Sequence, residues 1–301
     1  MPERGGSRAP GGWKTGIFYH PSYSRRSYLT VGARLADFPM ALETILGSGH
    51  ARMYEAAPVS EELVRKVHTA DLIEGVRNDP LCSTAWHSAG GVVAAGEKIA
   101  SGEIANAFAF IGAGGHHAGR DFFGGYCCFN DVALCIVNLR ERSGFRRFAV
   151  LDTDAHHGDG TRNLFSGDPD VLHVCFCGAD HESRDGTKVD VACPYPRPGG
   201  GSDVPANERY FGLVEAHVPR RVRAFRPDLL FWYFGFDTHA GDYGDIGLTG
   251  PCYFRIARLI RDLSDDVCAG RLAVVLGGGS RTDLATSLIP PIIGTLAGGP
   301  P

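Results

Sequence analysis

Five ionisable side chains crowd the segment AVLDTDAHHGDGT, residues 149–161, directly after an apolar run. Three aspartates and two histidines fall between Asp152 and Asp159. Burying such groups costs free energy unless each is solvated, hydrogen-bonded or bound to a ligand. The segment therefore predicts a binding or catalytic site at the end of a strand.

The types and spacing of these residues favour a metal site. Alternate side chains of an extended segment face the same way, so Asp152, Asp154 and His156 are expected to point to one side. Asp154 and His156 are candidate ligands of one metal ion, and Asp237, which follows another apolar run, is a candidate third. Three nitrogen and oxygen ligands leave one coordination position open, as in catalytic zinc sites. Such a metal lowers the pKa of its water and polarises a carbonyl.

The tandem histidines of GAGGHHAGRD, His116 and His117, are candidates for the general acid and base that this chemistry needs. Their rings require orienting partners, which Asp152 and Asp159 can supply. An isolated histidine pair is more often structural, and an aspartate such as Asp237 at a strand end is more often a cap or turn residue. The prediction therefore depends on the conjunction of all these groups.

Short apolar runs alternate with longer segments along the chain and predict an α/β fold. The candidate strands are NAFAFIGAGG, RFAVLDTD, DVLHVCF, DLLFWYFGFD and RLAVVLGGG; the candidate helices are SAGGVVAAGEKIASG, NDVALCIVNLRERSG, NERYFGLVEAHVPRRVRAF and TGPCYFRIARLIRDLSDDVCAG. Regular alternation indicates a parallel sheet with helices on both faces, which binds ligands at the carboxyl ends of its strands. Polar clusters follow four candidate strands, at residues 114–117, 152–159, 237–239 and 277–280. We expect them to form a single site.

Bulk composition limits the classes of function. A chain of 301 residues that is 44% hydrophobic fits one large domain, expected over 13–295 between disordered tails at 1–12 and 296–301. The net charge of -4 argues against a nucleic-acid or membrane-surface partner, so the basic segment PRRVRAFR is interpreted as a solvated helix face. Nine cysteines without paired CxxC spacing predict reduced thiols and a soluble cytoplasmic protein.

Four segments carry a resemblance to a known family. GGHHAGRDFFGGYCCFNDVA, LDTDAHHGDGTRNLF, GFDTHAGDYGDIGLT and LGGGS resemble, in order and spacing, the motifs of the histone deacetylase and acetylpolyamine amidohydrolase family, whose fold is shared with arginases. The match spans roughly residues 16–295. The resemblance implies a three-layer α/β domain with an eight-stranded, mainly parallel sheet. It also implies zinc-dependent hydrolysis of an acylated amine, with Fe²⁺ as the alternative metal. The substrate can be a protein lysine, a polyamine or a small metabolite, and a homo-oligomer is left open.

The resemblance also assigns roles by position. Asp154, His156 and Asp237 resemble the zinc ligands, and His116 and His117 the catalytic pair with partners Asp152 and Asp159, His117 being the acid/base group. The positions resembling substrate contacts are Gly125, Tyr126, Gly278 and Ser280. A structural potassium ion is implied at Asp152, Asp154, His156, Cys175 and Phe176, and a second at Phe165, Asp168 and Val171.

Two positions depart from the family pattern. The family has a tyrosine after its glycine run that donates to the developing oxyanion, whereas this chain has Ser280 and Arg281 in LGGGSRTDL. Losing one such donor costs about 10²- to 10³-fold in rate. Three tyrosines are candidate replacements, although a packing role is more frequent for each: Tyr19, Tyr23 and Tyr243. Cys175 stands where a serine often holds potassium, and a thiol is a poor ligand for a hard cation.

Two alternatives to a hydrolase of acyl amines stay open. One is a metal-containing protein that binds acylated amines with weakened or absent turnover, against which the complete set of histidines and aspartates counts. The other is an arginase-like ureohydrolase with two manganese ions, which calls for more carboxylates around the metal than Asp152, Asp154 and Asp237 provide.

Overall fold

The computed structural model describes residues 13–25, 34–113, 115–193 and 204–298. The tail expected at 1–12, the last three residues of the tail expected at 296–301, and most of the Gly/Pro-rich loop at 196–205 lie outside the described residues. The strands are β1 (Trp13–Tyr19), β2 (Ala51–Glu55), β3 (Ile104–Ala109), β4 (Phe148–Asp152), β5 (Val171–Cys177), β6 (His181–Glu182), β7 (Lys188–Ala192), β8 (Leu229–Phe234) and β9 (Leu272–Leu276).

Ten α-helices and two 3₁₀ turns connect these strands in the described ranges. The helices are α1 (Ser22–Arg25), α2 (Glu43–Gly47), α3 (Glu61–Val67), α4 (Ala70–Asn78), α5 (Ala85–Ala100), α6 (Asp131–Arg142), α7 (Asp159–Phe165), α8 (Ala206–Phe225), α9 (Gly250–Cys268) and α10 (Thr282–Ala297), with 3₁₀ turns at Met40–Leu42 and Pro80–Cys82. The last helix ends two residues beyond the expected domain boundary at 295, because the apolar Leu296 and Ala297 are buried.

All the described strands join one sheet in the order β2-β1-β3-β9-β8-β4-β5-β7-β6. Every neighbouring pair is parallel except β6 and β7. The expected eight-stranded parallel sheet is therefore confirmed, with one two-residue antiparallel strand, β6, added at its edge. The register of the central strands places the carboxyl ends of β3, β9, β8 and β4 side by side.

Helices cover both faces of the sheet. Helix α5 and helix α10 both contact β1 and β3 but make no extensive contact with each other, which fits positions on opposite faces. Helix α5 packs with α6, and α6 with α3, whereas α10 packs with α9 and α9 with α8. Strands β4, β5, β8 and β9 are buried along their whole length, which explains why their sequences are continuous apolar runs.

One prediction about the cysteines is wrong. A disulfide joins Cys82 to Cys128, whose Cα atoms are 5.9 Å apart and which are separated by 46 positions in the chain. The fold brings together two cysteines that no short spacing pattern connects, and spacing was the only signal that the sequence offered. The other seven cysteines are free and buried. No helix among the described residues is long and apolar enough to span a membrane.

Candidate active site

The loops that follow β3, β4, β8 and β9 surround a cavity of about 140 Å³ at the carboxyl edge of the sheet. Its lining includes His116, His117, Tyr126, Asp154, His156 and Tyr243. The four polar clusters expected to meet at this edge therefore do meet, apart from Gly114, which lies outside the described residues.

Asp154, His156 and Asp237 converge as three donor groups. Their ligand atoms all lie within 4.8 Å of one another. His156 Nδ1 is 3.2 Å from Asp154 Oδ1 and 3.0 Å from Asp237 Oδ2. Both carboxylates are buried, whereas the imidazole is partly exposed. The predicted metal ligands are thus brought together, two from the loop after β4 and one from the loop after β8.

Without a metal, this trio tends to hold protons that offset its buried negative charge, and a divalent cation would take their place. Burial and the neighbouring charge of Asp154 raise the pKa of Asp237 to about 7. Hydrogen bonds to Asp154 and Asp237 raise the pKa of His156 to about 10. Two buried carboxylates beside one imidazole need a compensating positive charge. A borderline metal such as zinc binds this nitrogen and oxygen donor set and supplies that charge.

Close backbone approaches shape the segment after β4. A Cβ on Gly158 would lie 2.6 Å from Asp152 Oδ2, and one on Gly160 would lie 2.4 Å from the carbonyl carbon of Ala118. Both glycines are therefore required for space. Gly158 has a φ of -72°, so its role is close approach rather than left-handed backbone.

His116 is buried and paired with Asp152, its Nδ1 lying 2.8 Å from Asp152 Oδ2. Its ring stacks on Tyr233, with centroids 4.6 Å apart. Burial opposes a positive charge on His116, but the carboxylates of Asp152 and Asp154 more than offset it and raise the pKa of His116 to about 9. Near neutral pH the His116 ring therefore carries a positive charge in the absence of metal.

His117 forms the second pair, with Nδ1 2.6 Å from Asp159 Oδ1. Burial, and then the positive charge of the adjacent His116, lower the pKa of His117 below its usual range. Because the carboxylate of Asp159 only accepts, the ring proton is assigned to Nδ1 and the lone pair to Nε2. The two histidine–aspartate pairs thus differ: His116 favours the charged form and His117 the neutral form.

The predicted substrate positions divide into two groups. Gly125, Tyr126 and Gly278 line the cavity, and the side chain of Tyr126 is largely exposed at its mouth. Ser280 does not line the cavity: its hydroxyl donates to Asp242 Oδ1 at 2.9 Å.

Tyr243 places its hydroxyl close to the candidate metal ligands. A Cβ on Gly278 would lie 2.7 Å from the Tyr243 hydroxyl and 2.7 Å from an oxygen of both Asp154 and Asp237, so the hydroxyl is within twice that distance of either carboxylate. The hydroxyl accepts a hydrogen bond from Gly279 N at 3.0 Å, and the ring stacks on His156 at 5.6 Å.

The other two candidate tyrosines do not line the cavity. Tyr19 is buried, and its hydroxyl donates to the carbonyl of Phe38. Tyr23 is fully buried in the core cluster. Of the three tyrosines weighed from the sequence, Tyr243 alone therefore stands at the candidate metal ligands.

Arg34 is a cavity residue that sequence reasoning missed. Its fully buried guanidinium donates to the carbonyls of Gly277, Gly279 and Ile111, at 2.7, 2.9 and 3.3 Å. It thereby ties the glycine run after β9 to the end of the segment after β3. A lone arginine in VGARLAD carries no pattern that would have revealed this role.

The implied second potassium position holds a lysine instead. The Lys188 ammonium donates to the carbonyls of Asp168 and Val171, at 2.9 and 2.6 Å. Asp168 also forms an ion pair with Arg140. Phe165 is the last residue of α7, three positions before Asp168. An ammonium and a potassium ion compete for the same carbonyl oxygens, so these residues do not fit a potassium ion while Lys188 is present.

The implied first potassium position contains the expected thiol. Cys175 Sγ accepts from Gly158 N at 3.5 Å and lies 4.0 Å from the carbonyl of His156. Cys175 and Phe176 are both buried in β5. A thiol in this position weakens the case for a hard cation.

Comparisons with known proteins identify the family of this chain. A family model described as the histone deacetylase domain matches residues 76–292. A protein of Archaeoglobus fulgidus named a probable deacetylase is 30% identical over 295 residues, which cover 88% of this chain and 81% of that protein. Histone deacetylase HDA1 of Saccharomyces cerevisiae is 30% identical over 257 residues, 80% of this chain but 35% of the yeast protein. The chain therefore spans about a third of the yeast relative and most of the archaeal one.

Another relative and a solved structure agree as well. Histone deacetylase-like amidohydrolase of Pseudomonas aeruginosa is 30% identical over 256 residues, 76% of this chain and 66% of that protein. The crystal structure of the HDA15 HD domain superposes with a TM-score of 0.81 at 23% identity and covers 96% of this chain and 91% of that chain. At that identity the structural likeness shows the fold alone.

Proposed function

Because the chain belongs to the histone deacetylase family, we propose that it is a zinc-dependent hydrolase that cleaves the amide bond of an N-acyl amine. The observation that carries the proposal is the convergence, in one cavity, of a three-donor metal set, two oriented histidines and a tyrosine hydroxyl. A protein lysine, a polyamine or a small acylated metabolite is the substrate class. A cytoplasmic location stays a prediction from composition.

Asp154, His156 and Asp237 would hold the zinc, with Fe²⁺ as the alternative ion for the same donors. Zinc supplies a Lewis acid that polarises the acyl carbonyl and lowers the pKa of water. The described residues offer this trio of donors at the cavity rather than the larger carboxylate set of a two-manganese ureohydrolase.

His117 serves as general base and then as general acid. Its Nε2 lone pair takes a proton from the attacking water, while Asp159 holds Nδ1 and stabilises the resulting imidazolium. As the bond from the water oxygen to the acyl carbon is completed, the amide C–N bond breaks. The proton on Nε2 passes to the leaving nitrogen, which gives an amine and a carboxylic acid.

His116 and Tyr243 stabilise developing negative charge. Asp152 holds the buried His116 ring in a fixed orientation beside the proposed metal ligands. The Tyr243 hydroxyl accepts from Gly279, which is the only hydrogen bond that it makes among the described residues, so its own proton is free to donate. A donor placed where oxygen charge develops lowers the barrier, and Tyr243 takes the role of the tyrosine missing after the glycine run.

The proposal is tested with the zinc-loaded protein and a panel of acetyl-lysine peptides, acetylpolyamines and small N-acetyl amines. We expect release of free amine from at least one class and a fall of about 10²- to 10⁴-fold in kcat for His117→Ala. The exposed His181 provides a matched control, and His181→Ala should retain the full rate. Absence of turnover across the panel, or equal rates for His117→Ala and the parent, contradicts the proposal.

A further inference from the structure

A second group of metal-binding side chains lies beside the candidate active site and contains none of the three proposed zinc ligands. The group consists of His157, Cys175, Cys177 and Asp190, whose ligand atoms all lie within 4.8 Å of one another. We refer to these four residues as the thiol cluster. The metal ligands proposed above are a separate group, Asp154, His156 and Asp237.

Three neighbouring segments position the thiol cluster. Cys175 and Cys177 alternate on β5, so their thiols face the same side of the sheet. Asp190 lies on the adjacent strand β7, directly opposite Cys175 in the strand register. His157 extends from the loop after β4, the strand on the other side of β5. The cluster is therefore fixed by the strand register rather than by a flexible loop alone.

The cluster contains a buried imidazole nitrogen that makes no hydrogen bond, and it is reachable from solvent. Both cysteines are buried and free, and the side chain of Asp190 is 10% exposed. His157 Nε2 is buried without a hydrogen bond, although it lies 3.2 Å from Asp190 Oδ1. The rest of the His157 side chain is 39% exposed, which gives an ion access to the cluster.

The chemistry of these four side chains selects a soft or borderline metal. Two thiolates, an imidazole and a carboxylate suit zinc and do not suit potassium, magnesium or calcium. We propose that the thiol cluster is a second metal site, which binds zinc through His157, Cys175, Cys177 and Asp190. Four protein ligands close the coordination sphere, as in structural rather than catalytic zinc sites. This proposal does not depend on the proposed hydrolase activity.

The arrangement needs only small adjustments to bind the ion. Ligand atoms around tetrahedral zinc are separated by roughly 3.3–3.8 Å, so no pair has to close by more than about 1.5 Å. Arg162 already pairs with Asp190, at 2.6 and 3.1 Å, and holds its carboxylate from outside the cluster. Two thiolates and a carboxylate balance the charges of one zinc ion and this arginine. Binding releases the two thiol protons.

A metal in the thiol cluster would restrain the segment after β4, which carries His156 and Asp159. His157 directly follows the candidate ligand His156 and lies two residues before Asp159, the partner of His117. Fixing the His157 side chain to β5 and β7 limits the motion of this short segment. The expected role is therefore structural support of the active site from its outer side.

Metal content and cobalt spectroscopy of the full chain test the proposal. We expect two equivalents of zinc per chain, falling to one in Cys177→Ser and to one in Asp237→Asn. Cobalt-loaded protein should show a near-ultraviolet thiolate-to-cobalt charge-transfer band, which only a cysteine-ligated site produces. The band should persist in Asp237→Asn and be lost or strongly reduced in Cys177→Ser. Cys268→Ser, a buried cysteine on α9, is the matched control and should keep both equivalents and the band.

The outcomes separate this site from the proposed function. A single zinc equivalent that Cys177→Ser leaves unchanged, with no thiolate band in folded Asp237→Asn protein, overturns the second site. The Asp237→Asn measurement keeps both cysteines, so it decides the matter even when Cys177→Ser fails to fold. A protein that shows the band but hydrolyses no acyl amine retains the second site and loses only the proposed function.

Discussion

The hydroxyl of Tyr243 stands beside the candidate metal ligands, where the sequence after the glycine run offers Ser280. Ser280 is directed to Asp242, whereas Tyr243 comes from the loop after β8 and contacts Gly279 in the loop after β9. The two loops meet because β8 and β9 are neighbours in the sheet. The tyrosine that is missing after β9 is therefore replaced in space by Tyr243, which follows the adjacent strand β8.

Replacing this tyrosine tests its assignment. We predict that Tyr243→Phe lowers kcat by about 10²- to 10³-fold, because it removes the proton donated to the developing oxyanion. The substrate KM should change far less, since the ring remains stacked on His156. Steady-state kinetics of the zinc-loaded protein give both constants.

Tyr54 offers the matched control for that substitution. Its hydroxyl donates to Glu103 at the surface, on the edge strand β2. Tyr54→Phe should leave kcat unchanged. A Tyr243→Phe protein that keeps the parental kcat would remove Tyr243 from the mechanism and leave the oxyanion without an identified donor.

At the scale of secondary-structure elements, Lys188 links β7 to the turn before β5. Its ammonium is buried and donates to the carbonyls of Asp168 and Val171. Lys188→Met should lower the free energy of unfolding by about 2–4 kcal/mol, because two carbonyls lose their donor. Urea denaturation measures the change, and Lys98→Met, which breaks a surface pair with Glu103, should cost less than about 1 kcal/mol.

The position of Lys188 on β7 also predicts how potassium affects the thermal stability of the protein. With an ammonium on these carbonyls, the thermal midpoint of the parent should be equal in KCl and NaCl at the same ionic strength. A thermal midpoint that is higher in KCl than in NaCl would contradict this expectation.

His68 connects, through hydrogen bonds, the loop that carries His116 and His117 to the start of α6. Its Nδ1 lies 2.7 Å from the carbonyl of Gly119, and its Nε2 accepts from Asn130 N at 3.1 Å. Burial lowers the pKa of His68 to about 4, so between that pH and about 6.5 the unfolded chain binds a proton that the folded chain does not. The stability contributed by neutral His68 is complete above about pH 6.5 and is lost as the pH falls toward 4.

This linkage gives a measurable difference between variants. Between pH 7 and pH 4 the parent should lose up to about 3 kcal/mol more unfolding free energy than His68→Gln does. The exposed His50 supplies the control, and His50→Gln should follow the parental pH profile. Identical slopes for the parent and His68→Gln would show that His68 titrates normally in the folded chain.

At the scale of the whole molecule, the strongly apolar strands and the long helices were predictable. Strands β3, β4, β5, β8 and β9 are central and almost entirely buried, so their sequences are mostly apolar runs. Strands β1, β2 and β7 lie nearer the sheet edges; only the first residue of β2 is buried, and β7 mixes buried with partly exposed residues. Such short, partly exposed segments give a weaker signal than a buried run.

The site was predictable where local motifs carry it and not where distant segments meet. Asp154, His156 and the tandem histidines stand in dense motifs at strand ends, and the conjunction of those motifs also pointed to Asp237. The positions of Tyr243, Arg34 and Lys188 follow from sheet order and register, which no single segment encodes. The disulfide between Cys82 and Cys128 belongs to the same class, because only the folded chain brings the two together.

The central claim is that this cavity hydrolyses acyl amines with a metal held by Asp154, His156 and Asp237. The most direct measurement is zinc titration of the metal-free full chain with an acetylated amine from the active class, quantifying amine and acetate together. We predict equal amounts of both products, a rate that rises to saturation with zinc, and no turnover in Asp237→Asn, whereas the exposed control Asp262→Asn behaves as the parent. A rate that is indifferent to zinc, or that survives in Asp237→Asn, contradicts the account.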